Sequence, residues 1–143
     1  MNIYFAGSIR AGREDVPIYE KMIAYLKEIG TVSTEHVGDY SLSIRGQNQL
    51  DDSFIHDRDL EWLKNSDIVV AEVTVASLGV GYELATAIQW KIPVIALFRN
   101  ENNDKQLSAM IKGSNGIKNF EYSNIDEAIK ILKQYFQEGE TND

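Results

Sequence analysis

Short apolar runs alternate along the chain with longer segments whose apolar residues recur every three or four positions. The short runs predict five β-strands, at residues 2–5, 31–34, 67–73, 93–98 and 120–122. The periodic segments predict helices, at residues 16–29, 53–63, 79–88, 107–111 and 125–136. The runs 67–73 and 93–98 are apolar almost throughout, which is typical of central strands in a parallel sheet.

Capping and breaking residues delimit two of these helices. Asp15 is a plausible N-cap of the first helix, Pro17 suits its first turn, and Gly30 is a natural stop. Ser53 is the predicted N-cap of the second helix. The strand–helix alternation indicates a three-layer α/β sandwich around a mostly parallel five-stranded sheet.

The predicted elements form one domain, residues 1–137, followed by a polar tail, residues 138–143, which we expect to be flexible. No linker or repeat interrupts them. In sheets of this kind, ligands bind at the carboxyl ends of the strands, where the strand order reverses. The residues that directly follow each strand are therefore the candidates for function.

Composition narrows the possible chemistry. The 143 residues include no cysteine and two histidines, which excludes disulfides and thiolate catalysis and leaves little material for a metal site. The net charge of −8, without a basic cluster, argues against polymeric nucleic acid as a partner. No apolar run is long enough to span a bilayer and no secretory signal is evident. We expect a cytoplasmic protein, or a nuclear one if the source is eukaryotic.

Two strand ends carry features suited to an anion. Gly7 and Arg10 follow the first strand, where small residues admit a ligand and arginine can grip an oxyanion; a tight turn with solvated arginines is the alternative. After the third strand, Ser77, Gly79 and Gly81 open a helix whose free N–H groups favour an anion. The spacing fits neither a dinucleotide fingerprint nor a Walker motif, so a mononucleotide phosphate suits it better.

Two carboxylates accompany this anion site. Glu83 lies one turn into the glycine-opened helix, where the alternative is a surface glutamate matched to the helix dipole. Asp59 shares a helical stripe with Ile55 and Leu63, where a carboxylate is costly unless it is functional or paired with an arginine. Two carboxylates beside a phosphate pocket are the components of glycosyl chemistry.

Six segments of the chain, in order, carry a family resemblance. They are residues 4–10 (YFAGSIR), 34–36 (TEH), 59–63 (DLEWL), 71–74 (AEVT), 77–83 (SLGVGYE) and 107–111 (LSAMI). Together they closely resemble the 2′-deoxynucleoside 5′-phosphate N-hydrolases (the Rcl proteins), which belong with the nucleoside 2-deoxyribosyltransferases. The resemblance implies a Rossmann-like (flavodoxin-like) fold, a homodimer, and hydrolysis to a free base and 2-deoxyribose 5-phosphate without cofactor or metal.

The resemblance also implies roles for individual residues. Glu83 would be the nucleophile that forms a covalent deoxyribosyl intermediate, and Asp59 would hydrogen-bond the sugar or base and help the leaving group. Tyr4 would line the sugar and disfavour a 2′-hydroxyl. The residues implied to surround the nucleotide are Gly7, Ile9, Arg10, Ser77 and Gly79. Ser108 and Met110 would reach the neighbouring subunit's site, where Ser108 contacts the 5′-phosphate and Met110 completes the pocket.

Ser77 distinguishes the two branches of the resemblance. The transferases carry an aspartate at this position, which would repel a phosphate dianion, whereas serine can donate to it. The chain departs from the family pattern at Ala6, Ala11 and the loop 38–52, so the base remains open. The alternatives are a nucleoside 2-deoxyribosyltransferase, a ribonucleotide (CMP-type) N-glycosidase and, outside the enzymes, a nucleotide-sensing module; a flavodoxin-like electron carrier fits less well.

Overall fold

A computed structural model describes residues 1–9, 15–33, 51–100 and 106–141. Its strands are β1 (Asn2–Ala6), β2 (Thr31–Ser33), β3 (Ile68–Glu72), β4 (Val94–Arg99) and β5 (Ile117–Tyr122). Its helices in these ranges are α1 (Val16–Ile29), α2 (Asp52–Lys64), α3 (Leu78–Gln89), α4 (Ala109–Lys112) and α5 (Ile125–Thr141). Each predicted strand and helix is present, with bounds that differ by a few residues.

The five strands form one parallel sheet in the order β2-β1-β3-β4-β5, which confirms the predicted α/β architecture. The chain passes from β1 to β2 on one side and then crosses to β3 on the other side of β1. The strand order therefore reverses between β1 and β3, and a ligand crevice is expected at their carboxyl ends.

Helices cover both faces of the sheet. α1 and α5 bury residues such as Tyr19 and Leu132 against one face, and α2 and α3 bury Leu63 and Leu84 against the other. Because successive strand residues point to opposite faces, Phe5 packs beneath α1 while Tyr4 points toward α2 and α3. None of the helices in the described ranges is long and apolar enough to cross a membrane.

The start of α2 differs from the prediction that Ser53 caps it. Asp51 is the N-cap: its Oδ1 accepts a hydrogen bond from the Phe54 N–H at 2.8 Å, and Ser53 lies inside the helix. Asp51, Asp52 and Ser53 are all good capping residue types, so propensity alone could not choose among them.

α1 begins and ends for reasons that the sequence showed only in part. Asp15 is the N-cap residue and Pro17 lies in the first turn, both as predicted, but the Asp15 side chain caps no helix N–H and instead pairs with Arg99. Gly30 ends the helix in an extended conformation, and a Cβ there would lie 2.5 Å from the Met1 carbonyl oxygen. Close approach of two backbones is what requires glycine at this position.

α5 continues beyond its predicted end at residue 136 as far as Thr141. The first residues of the expected tail are therefore helical. The division of the chain at residue 137 stays a prediction.

Candidate active site

Three of the predicted site residues meet on the α2–α3 side of the sheet. Tyr4 lies on β1, Asp59 on α2 and Glu83 in the second turn of α3. The Tyr4 hydroxyl and the Glu83 carboxyl lie close enough to shift each other's pKa, and Asp59 is near enough to act electrostatically on both. Tyr4 is 1% exposed, so this contact is shielded from bulk water.

The pKa of Glu83 is raised from 4.5 to about 7. Burial is the main cause, because a low-dielectric environment disfavours the charged carboxylate. The negative charge of Asp59 raises the pKa further, and the hydrogen bond from Tyr4 opposes the rise. A carboxyl group poised near neutrality in a strand-end crevice is typical of a catalytic group.

Tyr4 remains a neutral donor in this site. Burial, followed by the nearby Glu83 carboxylate, raises the pKa of its phenol far above the ordinary value of 10. The hydroxyl proton therefore stays on Tyr4 and is available to the Glu83 oxygen. The pair combines a fixed hydrogen-bond donor with a carboxylate that can change its charge.

Asp59 also has the arginine partner that the sequence offered as an alternative. Its Oδ1 accepts from Arg58 Nη2 at 3.0 Å and from Nε at 3.1 Å. The Arg58 guanidinium lies over the ring of Trp62 at 4.6 Å from its centroid. Asp59 is therefore both ion-paired with Arg58 and close to Glu83. The side chains of Asp59 and Arg58 are only about a fifth exposed, 19% and 22%.

The start of α3 has the form expected of an anion site. Ser77 is its N-cap, and its Oγ accepts from the Val80 N–H at 3.2 Å, which leaves the hydroxyl proton free to donate elsewhere. A Cβ on Gly79 would come no nearer than 3.7 Å to a neighbour, and one on Gly81 would meet nothing within 4 Å. Packing within the chain therefore does not demand glycine at either position.

The first loop is described only in part. A Cβ on Gly7 would lie 3.0 Å from the Tyr19 ring, so close packing favours glycine there, and Ile9 is 40% exposed. Arg10 and the segment 34–50, which includes His36, lie outside the described residues. The predicted role of Arg10 thus stays a prediction.

Ser108 and Met110 lie apart from Glu83 within one chain. Ser108 is the N-cap of α4, with its Oγ accepting from the Met110 N–H at 3.2 Å, and Met110 is 82% exposed. Both border a mainly apolar cavity of about 670 Å³ between α3 and α4, which Ser77 also borders. Glu83, Asp59 and Tyr4 do not line this cavity, because Glu83 faces another side of α3.

Sequence reasoning missed a buried polar network at the carboxyl ends of the strands. Glu72, Thr74, Arg99 and Asp15 are each less than 9% exposed and are joined by hydrogen bonds. The available signal was a charged residue at the end of each of two apolar strands, β3 and β4. No cluster of three potential metal ligands occurs within the described ranges.

His56 forms a second contact that the sequence did not anticipate. Its Nε2 lies 3.1 Å from the Tyr82 hydroxyl and its Nδ1 lies 2.9 Å from Asp57 Oδ1. The pairing ties α2 to α3 through residues that precede Asp59 and Glu83 on the two helices. In the described structure His56 is thus a structural hydrogen bonder between two helices.

Comparison with known proteins identifies the family. The model of the nucleoside 2-deoxyribosyltransferase family matches residues 3–124. A Danio rerio 5-hydroxymethyl-dUMP N-hydrolase is 48% identical over 139 residues, covering 96% of each chain. The Homo sapiens protein of the same name is 44% identical over 138 residues, covering 94% of this chain and 79% of that one.

A solved structure shares the fold. The CMP N-glycosidase of Clostridium botulinum superposes with a TM-score of 0.70 at 18% sequence identity, covering 94% of this chain and 99% of the other. At that identity the likeness establishes the architecture alone. The family model and the identity to the N-hydrolases show that this chain belongs to the nucleoside 2-deoxyribosyltransferase family.

Proposed function

We propose that this chain hydrolyses the N-glycosidic bond of 2′-deoxynucleoside 5′-monophosphates, giving a free base and 2-deoxyribose 5-phosphate. The observation that carries the proposal is the half-buried Glu83 carboxyl, with a pKa of about 7, beside Tyr4 at the strand-order reversal. The N-hydrolase names of relatives above 40% identity support the same reaction.

In the proposed mechanism, Glu83 is the nucleophile. As the bond from C1′ to the base nitrogen lengthens, C1′ gains positive character, which the ionised carboxylate stabilises. A Glu83 oxygen then bonds to C1′, and the electron pair of the broken bond leaves with the base, which takes up a proton. Water attacks C1′ in the second step, releasing 2-deoxyribose 5-phosphate and regenerating the carboxylate.

Asp59 and Tyr4 assist Glu83 in this scheme. Asp59 hydrogen-bonds the sugar or base and helps the base to leave. The Tyr4 hydroxyl holds Glu83 in place and occupies the space beside C2′, which disfavours a ribonucleotide. Their burial supports these roles, because hydrogen bonds to charged groups are stronger away from water.

The phosphate is anchored at the start of α3. Ser77 donates its hydroxyl proton and the N–H groups of the first turn point toward the anion. Gly79 supports this placement. Packing within the chain leaves space beside its Cα, and a bound nucleotide would fill that space. Gly7, Ile9 and Arg10, from the first loop, complete the phosphate site.

We propose further that a second copy of the chain completes each site. Leu78 is 97% exposed and Met110 is 82% exposed beside the apolar cavity, a surface that burial against a partner would stabilise. Ser108 would then reach the 5′-phosphate in the neighbouring site, and Met110 would complete the pocket there. The separation of Ser108 from Glu83 within one chain supports this arrangement.

Incubation with a panel of monophosphates, followed by chromatography of released base, tests the function. The panel contains the common 2′-deoxynucleotides, 5-hydroxymethyl-dUMP, and CMP beside dCMP. Release from deoxynucleotides but not from CMP supports the proposal. Release from CMP alone would favour a ribonucleotide N-glycosidase, a new nucleoside formed from an added free base would favour a transferase, and binding without release would favour a sensing module.

The expected compartment remains the cytoplasm, or the nucleus in a eukaryotic source. Nucleoside monophosphates occur in both compartments. Water is the only co-reactant that the scheme requires, consistent with the expectation of no cofactor or metal.

A further inference from the structure

A buried carboxylate fixes the second residue of the loop that leads to Ser77. Glu72, at the end of β3, is 1% exposed, and its Oε1 accepts from the Thr74 N–H at 2.6 Å. Its Oε2 accepts from the Thr74 hydroxyl at 2.9 Å and from the Tyr122 hydroxyl. Both oxygens are therefore committed to holding Thr74 and the end of β5.

Arg99 extends this network to the start of α1. Its backbone N–H donates to Thr74 Oγ1 at 2.8 Å, and its Nη2 donates to Asp15 Oδ1 at 2.7 Å. Arg99 is 5% exposed and Asp15 is 7% exposed, so the ion pair is shielded from solvent. Hydrogen bonds thus connect the carboxyl ends of β3, β4 and β5 with the residue that follows the first loop.

A buried network of charged residues contributes little net stability to a fold, because burying the charges costs free energy. Removing two charges from water costs several kcal/mol per ion, and apolar residues of similar volume often stabilise as well or better. What the network adds is a fixed geometry. Thr74 lies three residues before Ser77, and Asp15 lies directly after the loop that contains Gly7 and Ile9.

We propose that the Glu72–Thr74–Arg99–Asp15 network positions the loop that leads to Ser77, the residue proposed to bind the substrate phosphate. This inference rests on the proposed function. The four residues are positioning residues: they act through Ser77 and do not touch the nucleotide. Loosening the network should weaken phosphate binding while leaving Tyr4, Asp59 and Glu83 competent for chemistry.

Thr74 offers a matched pair of variants. Thr74→Val keeps the shape but removes the hydroxyl that accepts from Arg99 and donates to Glu72, whereas Thr74→Ser keeps the hydroxyl. Ser66→Ala is the control, because it removes a buried hydroxyl bonded to the Trp62 carbonyl at 2.7 Å at the opposite edge of the sheet. KM and kcat for a deoxynucleoside monophosphate, its Kd by calorimetry, and Tm are measured for each.

The expected result is a change in binding rather than in chemistry. Thr74→Val should raise KM and Kd about tenfold, the loss associated with one buried hydrogen bond, with kcat within about threefold of wild type. Thr74→Ser and Ser66→Ala should leave Kd within about threefold, even where Ser66→Ala lowers Tm. If Thr74→Val does not fold, Asp15→Asn, which preserves shape and removes the charge, is held to the same criteria.

Several results would overturn the inference. They are unchanged KM and Kd in the folded variant, a fall in kcat alone, an equal rise in Kd for Ser66→Ala, or failure of both Thr74→Val and Asp15→Asn to fold. The proposed function fails separately, when wild-type protein releases no base, and the Kd ratios then still test the network. Wild-type protein that neither binds nor cleaves a monophosphate would contradict both.

Discussion

Glu83 illustrates how one half-buried carboxyl links stability to chemistry. The same desolvation that brings its pKa to about 7 makes the ionised form costly in the folded protein. The carboxylate becomes useful when it meets the positive charge that develops at C1′, because that charge replaces the lost solvation. The site is in this sense matched to the transition state rather than to the resting enzyme.

The raised pKa of Glu83 has a measurable effect on stability. Because the folded pKa lies above the unfolded one, its contribution is fully present below about pH 4.5 and is lost as pH rises through about 7. The rise corresponds to roughly 3 kcal/mol. Glu83→Gln, which stays neutral, should therefore gain in free energy of unfolding over wild type as pH increases. Urea denaturation near pH 5 and pH 8 checks this, and a pH-independent difference would contradict it.

At the scale of elements, the start of α3 combines two functions in Ser77. The side chain caps the helix and is proposed to donate to the phosphate. Aspartate is as good an N-cap as serine but would repel a phosphate dianion, whereas alanine loses the cap. Substitution can therefore separate the structural contribution of Ser77 from its proposed role in binding.

Ser77→Asp should change mainly the KM for monophosphates, and Ser77→Ala should change mainly the stability of the fold. Ser77→Asp should keep the stability of the wild type and raise KM for monophosphates at least about tenfold through like-charge repulsion. Ser77→Ala should lose about 1 kcal/mol of stability with a smaller rise in KM. Thermal unfolding and steady-state kinetics measure both, and an unchanged KM in Ser77→Asp would count against phosphate binding at this position.

Element boundaries show where sequence patterns stop being informative. Hydrophobic periodicity located every strand and helix in the described ranges, because each element buries one continuous face. The N-cap of α2 fell on Asp51 rather than Ser53, since several capping residues are adjacent and packing decides between them. The reason for Gly30 lay in the nearby Met1 carbonyl, a contact that no local pattern contains.

The same limit applies to the site. Strand-end position singled out Glu83 and Ser77, and the helical stripe singled out Asp59, so their placement could be predicted locally. The pairing of Arg99 with Asp15 spans 84 positions, and the sequence alone does not reveal which distant charge it meets. Tyr4 was placed in the site only through the family resemblance, because a tyrosine in an apolar strand is otherwise an ordinary core residue.

For the whole molecule, the proposed site is shared between two copies of the chain. In this proposal Glu83 comes from one copy and Ser108 from the other, so that neither copy alone would hold a complete site. An acidic chain with a net charge of −8 must then bury Leu78 and Met110 against its partner to offset repulsion between the copies.

Mixing two impaired variants tests this sharing. Glu83→Gln should be inactive and Ser108→Ala weakened, but a mixed dimer contains one site with Glu83 and Ser108 both intact. Mixtures equilibrated at low concentration should thus recover up to about half of the wild-type activity per mixed dimer. Activity that only averages the two parents, or a monomeric protein by analytical ultracentrifugation, would contradict a shared site.

The central claim is that Glu83 forms a covalent bond to C1′ of a deoxynucleoside monophosphate. Mass spectrometry of enzyme quenched during turnover tests it most directly, with Glu83→Gln as the control. We predict a 2-deoxyribose 5-phosphate adduct on the peptide that contains Glu83, and at least a roughly thousandfold loss of base release in Glu83→Gln. Base release at near wild-type rate by Glu83→Gln, or an adduct on another residue, would contradict the account.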